Sequence, residues 1–250
     1  MKQLTPSFRE KIWGTTHLEP WFRNSVKKIG EVWFEEDSPL LLKFIFTSEN
    51  LSVQVHPPGK TEMWYVLAAE PRARIAAGFR EPVSREQLKA ASLSGEVENL
   101  LQWFDASPGD TFFLPAGTVH AIGAGLALCE IQQNSDVTYR LFDYGRPREL
   151  HLDQALAVSD LGPFRARQQP QDRVLVTCQY FVTERYCLSD SAIQLPPARS
   201  NQFLIVCEGS GQIDGQIVHA GEVWSLPPST SAVKLGGMTQ LLRVIVPPAT

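Results

Sequence analysis

Residues 51–67 read LSVQVHPPGKTEMWYVL and place an amide, an imidazole, an ammonium and a carboxylate within nine positions of a strand-like run. Gln54 and His56 are two apart, so on an extended strand their side chains leave the same face. Pro57, Pro58 and Gly59 supply a turn, after which Glu62 can return to that face. Imidazole, carboxylate and amide ligands without a thiolate suit Zn²⁺ or another borderline divalent ion with water in an open position. A single histidine on an apolar strand is as readily a satisfied core residue, so a metal reading requires a further ligand from elsewhere.

That ligand is found in residues 109–120, GDTFFLPAGTVH. Gly109 and Asp110 make a turn, Thr111 to Leu114 form a strand, and Pro115 to Gly117 form a second turn that returns His120 to the interior. The spacing resembles the second signature of the cupin barrels. Residues 51–67 then resemble the first, with Gln54 where a histidine usually stands.

The remainder of the chain limits the alternatives. It has 250 residues, enough for one large β domain or two small ones, and a formal net charge of -4 with mixed signs. Neither a basic stripe nor an apolar run long enough to span a bilayer is present, which argues against nucleic acid and membrane partners. The opening MKQLTPSFREKIWG lacks the apolar middle of a signal peptide, so a cytoplasmic location is expected. Cys129, Cys178, Cys187 and Cys207 show no CxxC spacing and read as buried free thiols. Eighteen prolines and seventeen glycines in short clusters, between runs of Val, Ile, Leu and Phe, indicate many short strands.

Among these runs, IGEVWFEED alternates as a half-buried strand should, and PLLLKFIF (39–46) reads as buried on both faces apart from Lys43, which either snorkels to the edge or looks into the site. Residues 84–104 read as helical: Ser84 and Gln87 form a capping box, Leu88 and Leu93 suggest an apolar stripe, and Gly95 precedes a second short helix with Leu100, Leu101 and Phe104. Alternation over 126–132 puts Glu130 and Gln132 on one face, lining a wet pocket or facing solvent. Arg140 interrupts an apolar approach, as an ion-pair partner or as an anion clamp. Residues 148–161 suggest a short amphipathic helix with Leu152, Ala155 and Leu156 inward, His151 being structural or exposed. His17 and His219 read as surface residues.

The polar segment 162–172 is the expected linker, and an internal echo follows it. FLIVCEG (203–209) corresponds to WYVLAAE (64–70), which sets Asn201 against Glu62. GEVWSLPPSTSA repeats the second signature with Ser229 for Gly117 and Ala232 for His120. The expected architecture is mostly β: two cupin jelly-roll barrels in tandem, residues 1–161 with a small helical insertion, and a degenerate second barrel over 173–250 without metal ligands.

Together, LLLKFIFTSENLSVQVHP, KTEMWYVL, FLPAGTVHAIGAGLALCEIQQNSDVTYRLFDYGR, WGTTHL, IGEVW and RELHLDQAL resemble the type I mannose-6-phosphate isomerases, zinc-dependent enzymes, in their short bacterial form. The resemblance implies one Zn²⁺ per chain held by Gln54, His56, Glu62 and His120. It puts Arg140 in the catalytic arginine position, Lys60 beside the metal-binding glutamate, and Glu130 near the substrate. The partner implied is a small sugar phosphate, with Lys43, Arg140, Arg146 and Ser52 as candidates for its phosphate. The loop between His56 and Glu62 is shorter than the family's. Competing readings are an iron-dependent cupin oxygenase and a sugar-phosphate-binding module without turnover. Oligomeric state is not legible in the sequence.

Overall fold

The computed structural model describes residues 1–164, 172–228 and 233–248. Most of the expected linker, together with Ser229 and Ala232, lies outside the described residues. The chain is mostly β. The first run comprises β1 (Lys2–Gln3), β2 (Pro6–Thr15), β3 (Ile29–Phe34), β4 (Leu40–Thr47), β5 (Val53–Val55), β6 (Glu62–Ala69) and β7 (Arg74–Phe79). Helix α1 (Arg85–Ser94) precedes β8 (Leu101–Asp105), β9 (Thr111–Leu114), β10 (His120–Ile122), β11 (Leu126–Gln133), β12 (Tyr139–Phe142) and α2 (Leu152–Val158). The last run is β13 (Val174–Thr177), β14 (Val182–Leu195), β15 (Gln202–Ile213), β16 (Gln216–His219), β17 (Val223–Leu226) and β18 (Val233–Ile245).

Three antiparallel sheets result. Five strands run in the order β12-β5-β10-β7-β8, six in the order β2-β3-β4-β11-β6-β9, and seven in the order β1-β17-β15-β18-β14-β13 with β16 on β15. The six-stranded sheet lies between the other two. One face sets Ile45, Trp64 and Leu128 against Ile75, Ala77 and Ile122 of the five-stranded sheet. Its other face sets Phe44, Tyr65 and Cys129 against Phe203, Ile205 and Leu242 of the seven-stranded sheet. This explains why all eight residues of β4 are buried: a strand covered on both faces reads as a continuous apolar run. Lys43 is buried with them and looks into the site.

The echo extends to the hydrogen bonds. Val66 and Asp110 bond N to O at 2.9 Å, as do Gly109 and Val66; Val206 with Glu222, and Gly221 with Val206, repeat both at 2.9 Å. Gly109 and Gly221 both have positive φ, 91° and 90°, which a glycine adopts without strain. The order β4-β11-β6-β9 is matched by β14-β18-β15-β17. Glu62 pairs with Leu114 and Gln202 with Leu226, each just before its signature proline, so Gln202 and not Asn201 takes the place of Glu62. The apolar runs align equally well one residue out; the ladder fixes the register. By the same registers Glu184 and Arg243 stand where Lys43 and Glu130 stand, with the charges reversed. At the other end of the chain, Lys2 and Gln3 pair with Ser225 and Trp224, so the first strand joins the last sheet.

The helical expectation for 84–104 holds only in its first half. Ser84 Oγ accepts from Gln87 N at 3.1 Å and Gln87 Oε1 from Ser84 N at 2.8 Å, and α1 ends at Gly95 with φ 84°. After a 3₁₀ turn over Glu96–Asn99 the chain is strand: Leu101 pairs with Phe79, Trp103 with Ala76 and Phe104 with Ile75. Leu100, Leu101 and Phe104 fit a helical face locally, but the free edge of β7 offers them a ladder. Leu88 is buried, whereas Leu93 is 66% exposed, because five residues carry it to the far side of the helix. The thiol expectation also needs correction. Cys129 and Cys207 are buried, Cys178 is half-buried and Cys187 is exposed. No helix among the described residues is long and apolar enough to cross a membrane.

Candidate active site

Gln54 lies on β5, and β10 delivers His120 directly opposite it. His56 follows β5 and leads into the turn over Pro57 to Lys60, where Lys60 N donates to Pro57 O at 3.3 Å. Glu62 then opens β6. The second turn is tied to the first, since Gly117 N donates to His56 O at 2.9 Å. Gly117 has φ 89°, and a Cβ there would stand 2.9 Å from Val158 O. One ligand-type atom each from His56, Glu62 and His120 lies within 4.8 Å of the others, and all three residues are buried.

Second partners fix the two rings. His56 Nδ1 is 3.0 Å from Val137 O and His120 Nδ1 2.9 Å from Thr118 O. A carbonyl can only accept, so each ring carries its proton on Nδ1 and presents an Nε2 lone pair. Those Nε2 atoms lie 3.3 and 3.5 Å from the Glu62 oxygens, neither of which accepts a hydrogen bond. A buried carboxylate facing two lone pairs without a proton between them is an arrangement that a divalent cation satisfies. Gln54 stands alongside, its amide nitrogen 3.2 Å from His120 Nε2 and its Oε1 accepting from Ser52 Oγ at 3.1 Å. Rotating that amide by half a turn exchanges nitrogen for oxygen and adds a fourth donor.

The charges follow from burial and neighbours. Burial works to raise the Glu62 carboxyl, but the charges that His56 and His120 carry when protonated, together with Lys60, outweigh it and hold the group well below the usual carboxylate range. Burial pushes His120 down to about 4 against the pull of Glu62. It also lowers Lys60, with Glu62 opposing and Lys43 adding to the fall. Lys60 Nζ lies 3.1 Å from His56 Nε2 and 3.9 Å from Glu62. For Lys43, burial is outweighed by Glu130 and Glu31, so its pKa rises. Its Nζ lies 2.9 Å from Glu130 Oε2 and donates to Gln132 Oε1 at 2.6 Å. Trp64 Nε1 donates to the other Glu130 oxygen at 2.8 Å.

A cavity of about 270 Å³ opens onto this centre. Ser52, Gln54, His56, Lys60, Lys43, Glu130 and Arg140 all line it; for Lys43 and Glu130, which the sequence leaves between an edge or solvent and the site, this is the inward alternative. Arg140 pairs through its backbone with Gln54 on β12, and burial together with Arg148 lowers its guanidinium. Two basic residues exchange places relative to expectation. Arg146 reaches Asp143 at 3.4 Å and the Asn50 carbonyl and does not line the cavity, whereas Arg148 does, braced by two 2.6 Å bonds to Asp143. His151 also lines it, as do Asp136, Lys11 and Glu31, none of which the sequence singles out as functional. A polar residue in a loop, like Asp136, or on an outer strand, like Lys11 and Glu31, carries no signal of facing a cavity that distant strands create.

No family model matches the chain. Mannose-6-phosphate isomerase ManA of Bacillus subtilis is 33% identical over an alignment of 304 positions that covers 95% of this chain and 96% of the relative. The crystal structure of mannose 6-phosphate isomerase from Bacillus subtilis superposes with a TM-score of 0.86 at 26% identity, covering 98% of this chain and 99% of the other. A zinc-bound holo mannose 6-phosphate isomerase shares the fold at a TM-score of 0.79 and 17% identity, covering 98% of each chain. Identity of this level across nearly the whole length, on the same fold and with the metal-type cluster in place, decides the matter: the chain belongs to the mannose-6-phosphate isomerase family, enzymes that interconvert an aldose and a ketose.

Proposed function

We propose that the protein interconverts mannose-6-phosphate and fructose-6-phosphate through an enediol, using one Zn²⁺ held by Gln54, His56, Glu62 and His120. The observation that carries this reading is the Glu62 carboxylate, buried without a hydrogen bond between two Nε2 atoms, next to a cavity lined by its neighbours Gln54, His56 and Lys60 and by Arg140. The zinc-bound relative supports the choice of metal. Bound there, the ion would supply Lewis acidity and an anchor for the sugar oxygens.

The chain's own residues account for the rest. A proton leaves C2 of the open aldose as O1 gains one, giving the enediol, and a proton added at C1 as O2 gives up its own yields the ketose; no net oxidation occurs. Arg140 stabilises the oxygen charge that develops in the enediol. Lys60, which lines the cavity beside His56 and Glu62, accepts and returns the proton. Both Glu130 oxygens are engaged, by Lys43 and Trp64, so Glu130 orients Lys43 and the substrate rather than serving as the base. We also read residues 173–250, which supply every strand of the seven-stranded sheet except β1, as a second, ligand-free barrel, with residues 1–161 carrying the site; the matched strand order supports this.

A coupled assay for fructose-6-phosphate, run on chelated and zinc-restored enzyme, tests the proposal. Arg140→Ala should keep its zinc and lose about two to three powers of ten in rate. Glu62→Gln should lose zinc and activity together. Activity that survives chelation would overturn the metal assignment, and zinc-loaded Arg140→Ala with full turnover would remove Arg140 from the mechanism. Tight sugar-phosphate binding without turnover would favour a binding module instead.

A further inference from the structure

We propose that His151 is a positioning residue that fixes Arg140 in the cavity, an inference that rests on the role given to Arg140 above. Arg140 sits on β12, the edge strand of the five-stranded sheet, where the pairing with β5 shifts register between Arg140 and Phe142. An edge strand next to such an irregularity leaves backbone groups without a ladder partner. At Arg140 those groups are taken up by the segment that leads into α2. Arg140 N donates to His151 Nδ1 at 3.3 Å, and His151 N donates to Arg140 O at 2.8 Å. The guanidinium NH1 donates to Glu149 O at 3.4 Å.

These bonds determine the state of the ring. A backbone N–H can only donate, so His151 Nδ1 carries a lone pair and the ring proton resides on Nε2. This is the opposite tautomer to that of His56 and His120. His151 occupies the N-cap position of α2, yet its side chain makes no bond to its own helix. The acceptor that would ordinarily cap the first turn is directed to Arg140 instead. The helix behind it is anchored, with Ala155 and Leu156 buried against Val53, Val55 and Leu141. His151 thus ties an edge strand that would otherwise slide to a packed element, and the ring rests beside Tyr139 with centroids 6.1 Å apart. Small misplacements of a group that meets developing charge are costly, about a hundredfold for 1 Å.

The test is a double-mutant cycle on zinc-loaded enzyme, read as kcat with folding followed by thermal denaturation. His151→Ala should lower kcat by about ten- to hundredfold. His151→Asn, which returns an acceptor near the Nδ1 position and is itself a favourable N-cap, should recover most of that loss. His151→Gln sets its amide near the Nε2 position and should not. In the Arg140→Ala background, His151→Ala should cost nothing further, because the residue it positions is gone. Multiplying losses in the double variant, or a folded His151→Ala at the wild-type rate, would overturn the inference while leaving the Arg140 assignment intact. A fully active Arg140→Ala would overturn both.

Discussion

His120 is the residue at which burial and chemistry meet most directly. Burial holds its imidazole neutral down to about 4, against an ordinary value of 6.5. Between those values the unfolded chain takes up a proton that the folded chain refuses, so the stability this residue contributes is complete above about 6.5 and drains as the pH falls towards 4. Urea titrations of chelated protein at about pH 7 and about pH 5 should show that loss, and His120→Asn should show less of it. A wild-type stability that does not fall over this range would contradict the neutral ring. The cluster of His56, Glu62 and His120 is legible because each sits at a position set by local rules: a period of two that puts His56 on the face of Gln54, and a glycine turn before Glu62 and before His120. His151 is not, since its partner is the backbone of a residue eleven positions away and nothing in RELHLDQAL marks that meeting. Arg146 and Arg148 both meet the Asp143 carboxylate, and what sets them apart is that Arg148 lines the cavity while Arg146 turns to the Asn50 carbonyl.

At the level of the element, α1 shows how far a local pattern reaches. The capping box and the Gly95 stop are short-range chemistry and appear as the sequence dictates. The inward stripe is Leu88 alone, with Ser92 beside it, because Leu93 points to solvent. Leu88→Ala should therefore cost about 2–5 kcal/mol of unfolding free energy, whereas Leu93→Ala should change it by less than about 0.5 kcal/mol. Chemical denaturation of the two variants checks this, and equal losses would contradict the packing. Strand β8 was misread as helix because Leu100, Leu101 and Phe104 satisfy both periodicities over so short a stretch. The edge of β7 resolved the ambiguity with hydrogen bonds that the segment could not supply itself.

Across the whole molecule, four strands of the six-stranded sheet and four of the seven-stranded sheet repeat one order and diverge in their buried charges. Where the first half sets Lys43 against Glu130 beside a cavity, the second sets Glu184 against Arg243, buried and closed by Gln202 at 2.7 Å and the Pro196 carbonyl at 2.9 Å. Arg243 thus has a structural role, and Arg243→Ala should cost about 1–3 kcal/mol by leaving the buried Gln202 acceptor unpaired. The folded variant should keep its turnover number; a specific loss of turnover at full occupancy of the native state would assign the second half a part in the chemistry. Periodicity, turn residues and spacing pointed by themselves to a β protein with an internal echo, to metal-type side chains at His56, Glu62 and His120, which the fold brings together, and to an arginine downstream of them, since each of these rests on a local pattern or on one repeated along the chain. Tertiary structure alone decided the register of the echo, the switch from helix to strand at Leu101, the choice of Arg148 over Arg146 and the clasp of His151 on Arg140. Each of those depends on which distant backbone or carboxylate completes a hydrogen bond, and a linear pattern does not encode that partner.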